Sequence, residues 1–143
     1  MKKTSRIVID TNVLVSALRS RKGWSFDLLQ RVGGGSFEHV VTVPLLIEYE
    51  DVLHRKGMVP ITRAAVDDIL DYVCASGLRQ KVHFLWRPKL GDVRDDMVLE
   101  AAFNGQCDAI VTWNIRDFSA AGAIGIEVLS PNVFVKRLKE HAS

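Results

Sequence analysis

The fold of this chain is decided by the stretch Arg6-Ile7-Val8-Ile9-Asp10-Thr11-Asn12-Val13-Leu14-Val15. Its first half is a run of β-branched residues without polar alternation, which is typical of a strand buried on both faces of a parallel sheet. Ligands of open parallel sheets bind just beyond the carboxyl ends of the strands. We therefore expect Asp10 at the rim of a binding crevice, with Thr11 and Asn12 at the start of a helix. The alternative is that Asp10 only caps that helix.

A second apolar run, Ala109-Ile110-Val111-Thr112, repeats this pattern late in the chain. It is followed by Asn114 and, three residues later, by Asp117. If the two strands lie side by side, the polar residues after each strand converge on one small volume. The sequence thus predicts a polar site that combines Asp10 and Asn12 with Asn114 and Asp117.

A third acidic cluster opens the helix predicted over residues 92–103. At about 100° per residue, Asp95 falls on the apolar arc of this helix, and Asp96 lies about 100° further round. That arc consists of Val98, Leu99 and Ala102. We therefore expect Asp95 to point toward the core, where an unpaired carboxylate needs a partner. Alternatively, these acids only complement the helix dipole, with Asp92 as the cap.

Glu48 belongs to a fourth group of candidate site residues, on a different predicted helix. Residues 43–53 predict a helix that begins with Pro44 at a tolerated early position. Glu48 borders the buried side of this helix beside Val52. Because a bordering glutamate is more often a solvated flank residue, its significance depends on the other acids.

Strands and helices alternate along the chain, which predicts a mainly parallel sheet between helical layers, a three-layer α/β/α sandwich. The predicted strands are 6–10, 39–43, 81–85, 109–112 and 126–129. The predicted helices are 12–20, 24–32, 43–53, 62–76 with Thr62 as cap, 92–103 and a last one opened by Pro131.

Composition is consistent with a small enzyme formed by one domain, residues 1–143. A hydrophobic content of 48% argues against disorder. No apolar run reaches the ~18 residues of a membrane span and no signal peptide is evident, so we expect a cytoplasmic protein that does not contact membranes. Cys74 and Cys107 lack metal-site spacing and predict reduced thiols. The net charge of +2 does not indicate nucleic-acid binding by itself.

Taken in order, these motifs resemble the PIN-domain ribonucleases, in particular the VapC-like toxins of toxin–antitoxin pairs. The resemblance rests on the Asp-Thr-Asn-Val-Leu stretch after the first strand, Glu48 in its Leu-rich helix, Asp-x-x-Asp-Asp at residue 92 and Asp-Ala-Ile-Val-Thr-x-Asn at residue 108. It extends from Arg6 to about Leu138. It implies a metal-dependent endoribonuclease that hydrolyses RNA phosphodiester bonds, with a cognate antitoxin protein as partner and a dimeric assembly.

The resemblance implies that Asp10, Glu48 and Asp95 are the catalytic, metal-coordinating acids. Asp95 is preferred over Asp96 because its spacing to Ala102 matches the family helix. Carboxylate oxygens are the ligands that Mg²⁺ and Mn²⁺ prefer, and such ions activate water for phosphodiester hydrolysis. Many PIN domains carry an acid where this chain has Asn114, so Asp117 becomes the candidate fourth metal ligand. Further candidate site residues are Thr11, Asn12, Asp96, Thr112 and Asn114.

Two alternatives remain. The chain could be a degenerate PIN domain that binds RNA or a protein partner without cleavage, and Asn114 is the best support for this hypothesis. It could also be a phosphoryl-transfer enzyme or receiver-like domain that uses Asp10. Dehalogenase-like enzymes need a second acid two residues on, where this chain has Asn12, so we rank the latter hypothesis lower.

Overall fold

A computed structural model describes residues 4–83 and 92–142 of the chain. In this part of the chain, five parallel strands form one sheet, and helices pack on it. The strands are β1 (Ser5–Ile9), β2 (Phe37–Val41), β3 (Leu78–Arg79), β4 (Ala109–Val111) and β5 (Glu127–Leu129). The helices are α1 (Thr11–Arg19), α2 (Trp24–Arg31), α3 (Val43–Leu53), α4 (Arg63–Ser76), α5 (Val93–Asn104), the 3-10 helix Ile115–Ile124 and α6 (Pro131–Ala142).

The sheet has the strand order β3-β2-β1-β4-β5, so β2 and β3 lie on one side of β1, and β4 and β5 lie on the other. Helices α1, α2 and α6 pack together as one group, and α3, α4 and α5 as another. The prediction of an α/β/α sandwich with a parallel sheet is confirmed. The order reverses between β1 and β4, and this is the place where open α/β sheets bind ligands at their carboxyl edge.

Strand β1 is as buried as its apolar run predicts, because Ile7 and Val8 are fully buried and Ile9 is 3% exposed. Ile9 lies opposite Val111 of β4, and the backbone N–H of Asp10 donates to the Val111 carbonyl at 3.0 Å. The first residues after the two strands are therefore direct neighbours at the sheet edge. This register brings the two polar clusters of the sequence together.

The predicted strand at 81–85 is wrong for residues 81–83, which are not in a strand, while Phe84 and Leu85 lie outside the described residues. The strand that pairs with β2 is instead β3, and both of its residues are exposed. Strand β2 spans 37–41 and not 39–43, because Thr42 ends it by capping α3: its hydroxyl accepts a hydrogen bond from the Leu45 N–H at 3.2 Å.

The predicted cap of α4 is present, since the Thr62 hydroxyl accepts a hydrogen bond from the Ala65 N–H at 3.1 Å. The 3-10 helix after β4 has no counterpart among the predicted elements. No helix within the two described segments is long and apolar enough to cross a membrane.

Candidate active site

A pocket of about 330 Å³ opens where β1 and β4 end, and acidic side chains dominate its lining. Its walls come from the starts of α1 and α5, from the middle of α3 and from the turn after β4. The lining residues are Asp10, Thr11, Asn12, Val15, Glu48, Val52, Met58, Asp92, Arg94, Asp95, Asn114 and Asp117. Two larger pockets, of about 540 and 640 Å³, are more apolar and share no lining residue with this one, and a third, of about 340 Å³, has two acids beside the basic residues Arg55 and Arg63. The acidic pocket is therefore the candidate site.

Asp10 lies at the base of this pocket, directly after β1, and is 8% exposed. It occupies the cap position of α1, but its side chain makes no capping hydrogen bond, contrary to the simple capping alternative. Its Oδ2 instead accepts a hydrogen bond from the Thr112 hydroxyl at 2.8 Å. Burial raises the pKa of Asp10, the hydrogen bonds from the Thr112 side chain and the Thr11 backbone oppose this rise, and the carboxylates of Asp117 and Glu48 add to it.

Thr112 is fully buried and connects the two strand ends. Its hydroxyl donates to Asp10 and accepts from the Asn114 backbone N–H at 3.0 Å and from the Asn12 side-chain amide at 3.4 Å. The Asn12 carbonyl oxygen accepts in turn from the Trp113 backbone N–H at 3.3 Å. Thr112 and Asn12 therefore fix the orientation of Asp10 relative to the turn after β4.

Tyr49 is a supporting residue that the sequence analysis did not assign to the site. Its hydroxyl donates to the backbone carbonyl of Ile9, the residue before Asp10. The side chain is 1% exposed, and burial raises the pKa of Tyr49 well above its ordinary value. This bond holds α3 against the end of β1. A signal was present, because a tyrosine on the buried side of a helix needs a partner for its hydroxyl.

Glu48 precedes Tyr49 on α3 and enters the pocket from the border of the buried stripe, as predicted. Its side chain is 12% exposed. The guanidinium Nε of Arg94 lies 3.7 Å from Glu48 Oε1, which is an ion-pair distance without a hydrogen bond. Glu48 is thus a nearly buried acid whose ion-pair partner, Arg94, is itself largely exposed.

Asp95 lines the pocket from the first turn of α5 and is half-buried. Burial raises the pKa of Asp95 to about 6, and the carboxylates of Asp10, Asp92 and Asp117 contribute to the rise. The prediction that Asp95 rather than Asp96 points into the core is wrong, because Asp96 is fully buried and does not line the pocket. Asp95 faces the pocket itself.

The turn after β4 adds two exposed residues to the pocket, Asn114 and Asp117, at the start of the 3-10 helix. The carboxylate of Asp117 contributes to the raised pKa of both Asp10 and Asp95, so its charge acts on the pocket. Thr11 is 8% exposed and also lines it. Of the predicted site residues, Asp96 and the buried Thr112 are those that do not line the pocket.

The lining of the pocket supplies five carboxylates. Carboxylate oxygens are the ligands that hard divalent cations prefer, so the pocket fits such a cation in its chemistry. Burial raises the pKa of Asp10 and of Asp95, the neighbouring carboxylates add to the rise, and a bound cation would favour the ionised form of both groups. As the side chains stand, however, no three His, Cys, Asp or Glu residues within 4–83 and 92–142 are grouped closely enough to hold a metal ion. Coordination therefore requires the carboxylates to draw together.

Comparisons with known proteins identify a family for this chain. The PIN domain family matches residues 6–116. No curated protein matches the chain by sequence. A chain from the crystal structure of VapBC2 from Rickettsia felis bound to a DNA fragment from their promoter superposes with a TM-score of 0.59 at 14% identity, over 87% of this chain and 99% of that chain. At this identity the likeness concerns the fold alone. The family match spans most of the chain, and the chain therefore belongs to the PIN domain family.

Proposed function

We propose that this chain is a metal-dependent endoribonuclease formed by one domain, and that Asp10, Glu48 and Asp95 are its catalytic, metal-binding acids. The observation that carries the proposal is the convergence of five carboxylates in one pocket at the switch point of a parallel sheet. Groups with raised pKa values in a cleft are typical of functional sites. Membership of the PIN domain family supports nuclease chemistry, since PIN domains are generally nucleases.

Asp10, Glu48, Asp95 and Asp117 would hold Mg²⁺ or Mn²⁺. When bound, the ion supplies a water of lowered pKa and positive charge beside the phosphate. The Thr112 hydroxyl keeps the Asp10 carboxylate aimed at the pocket. Asp95, with a pKa of about 6, is mostly ionised at neutral pH and is therefore available as a ligand. Thr11, Asn12 and Asn114 line the space in which the RNA backbone would lie.

The test is cleavage of labelled single-stranded RNA by the purified protein in Mg²⁺ or Mn²⁺, with a DNA strand of the same sequence alongside. We expect the RNA to be cut and excess chelator to stop the reaction. Chelator-resistant cleavage would contradict a metal-dependent mechanism. RNA binding without cleavage would favour the degenerate PIN domain, an alternative to which the neutral Asn114 at the pocket rim lends support.

We further propose that the enzyme is the toxin of a toxin–antitoxin pair, acts in the cytoplasm and assembles as a dimer. The support is the fold shared with a chain of a VapBC2 complex. An acidic pocket would also attract a basic segment of a neutralising protein. Purification from the native host should therefore yield a small partner protein bound to this chain. Isolation of the chain alone under gentle conditions would contradict the toxin assignment, while leaving the nuclease assignment intact.

A further inference from the structure

Arg94 is a cation placed among acids. Among residues 4–83 and 92–142, the charged side chains that line the pocket are five carboxylates and one base, Arg94. Its side chain is 58% exposed, whereas its ion-pair partner Glu48 is 12% exposed. The pair is held at 3.7 Å without a hydrogen bond. The guanidinium is thus open to the pocket, and none of its N–H groups is hydrogen-bonded to Glu48.

The backbone beneath Arg94 is fixed even though its side chain is open to solvent. The Arg94 N–H donates to the Asp92 carboxylate at 2.9 Å, which caps α5. Arg94 is therefore anchored at the first turn of the helix that also carries Asp95. Because the backbone of Arg94 is held in this way, its guanidinium can exchange one hydrogen-bond partner for another without any change in the helix.

A positive group at this position can offset part of the negative charge that the pocket presents to RNA. Five carboxylates repel an RNA backbone, and a bound divalent ion offsets only part of that charge. A planar guanidinium matches a phosphate with two parallel hydrogen bonds, which a weakly paired arginine is free to form.

We propose that Arg94 is the phosphate-binding residue of this pocket. In the metal-free protein its guanidinium pairs with Glu48, and it moves to a phosphate of single-stranded RNA once a divalent ion neutralises the acids. This inference rests on the proposed nuclease function. It assigns to Arg94 two separable effects: weaker metal binding before RNA arrives, and stronger RNA binding afterwards.

The experiment compares Arg94→Gln with Arg94→Lys and with the control Arg137→Gln. Arg137 is an exposed arginine that pairs with Glu127, away from the pocket. Mn²⁺ affinity is measured by calorimetry on the full chain. RNA affinity is measured by fluorescence anisotropy of a labelled single-stranded RNA in Ca²⁺ over a series of salt concentrations, with the RNA checked for integrity.

Arg94→Gln should bind Mn²⁺ several-fold more tightly, because a positive charge beside Glu48 is removed. It should bind RNA about five- to ten-fold more weakly, and the slope of log affinity against log salt should shrink by about 0.7, the value for one phosphate contact on a single strand. Arg94→Lys keeps the charge and should retain most of that slope. Arg137→Gln should match the wild type in both measurements.

Unchanged RNA affinity and salt slope in Arg94→Gln, with a wild type that binds and cleaves RNA, would overturn the role of Arg94 and leave the nuclease assignment standing. A wild type that neither binds nor cleaves RNA would overturn the proposed function, and this inference with it.

Discussion

Asp95 and Asp96 are adjacent acids with different surroundings. Asp95 is half-buried in the pocket, whereas Asp96 is fully buried and engaged in interactions within the protein. We expect Asp95→Asn to remove most cleavage activity while the protein stays folded, because Asp95, unlike Asp96, lines the pocket of the proposed metal. Asp96→Asn should cost less activity and instead lower the free energy of unfolding, by about 1–3 kcal/mol for a disturbed buried carboxylate.

Cleavage assays and urea unfolding of both variants check this prediction. Equal loss of activity with equal stability in the two variants would mean that both acids serve the reaction directly.

Asn114 and Asp117 lie on the same turn and differ in charge. Both line the pocket from its exposed rim. An amide oxygen can coordinate a hard cation but supplies no charge. We therefore predict that Asn114→Asp tightens Mn²⁺ binding and that Asp117→Asn weakens it and slows cleavage. If calorimetric titration finds no change in either variant, the turn lies outside the metal site, which then consists of Asp10, Glu48 and Asp95.

The junction of β1 and β4 depends on the hydroxyl of Thr112, which bonds to the Asp10 carboxylate, the Asn114 N–H and the Asn12 amide. Thr112→Val keeps the shape but removes these bonds, so we expect a loss of stability of about 1–3 kcal/mol. The pKa of Asp10 should rise further because the Thr112 hydrogen bond lowers it, and Mn²⁺ binding at neutral pH should weaken.

Thr112→Ser is the matched control, since it retains the hydroxyl and should behave nearly as the wild type in both urea unfolding and Mn²⁺ calorimetry. Identical Mn²⁺ affinities for the Val and Ser variants would show that this hydroxyl does not prepare Asp10 for the metal.

At the level of elements, sequence pattern predicted those that bury apolar runs and missed those that do not. β1 and β4 are short β-branched runs, and burial on both faces makes such runs distinctive. β3 consists of two exposed residues at the sheet edge, so no alternation or apolar run marks it. The 3-10 helix after β4 buries Phe118 and Ala121. It has no apolar stripe with a period of 3.6 residues, so the sequence pattern did not predict it.

The error over the orientation of α5 has a similar physical cause. This helix contacts β1, β2 and β4 as well as α3 and the 3-10 helix. It is buried round much of its circumference, and even Glu100 is 1% exposed. Periodicity therefore could not define a single inward face. The family resemblance implies Asp95 as a site residue, and Asp95 does line the pocket, but the prediction that Asp95 points into the core is wrong.

At the scale of the whole molecule, the crowded acids should make the stability of the metal-free protein depend on pH. The folded pKa of Asp95 is about 6 against an ordinary 3.8, so the folded state binds its proton more tightly than the unfolded state. That contribution to stability is present at low pH and is lost as the pH rises through about 6. The raised pKa of Asp10 acts in the same direction, whereas burial lowers the pKa of His39 and acts oppositely.

A comparison with Asp95→Asn isolates this contribution. We expect the variant to gain stability over the wild type as the pH rises from 4 to 7, by about 1 kcal/mol once solvent screening of the half-exposed group is allowed for. Asp71→Asn, an exposed position on α4 outside the pocket, should show a constant difference. Urea unfolding in chelator across this pH range checks the prediction, and a flat difference for Asp95→Asn would contradict it.

We propose that the acids beyond β1 and β4 form a metal-dependent catalytic centre for RNA cleavage. The most direct measurement is the rate of single-stranded RNA cleavage in Mn²⁺ by Asp10→Asn, with Asp71→Asn as the control. We predict that Asp10→Asn folds and loses at least about a hundredfold in rate, about 2.7 kcal/mol of transition-state stabilisation, while the control cleaves like the wild type. Undiminished cleavage by a folded Asp10→Asn protein would contradict it.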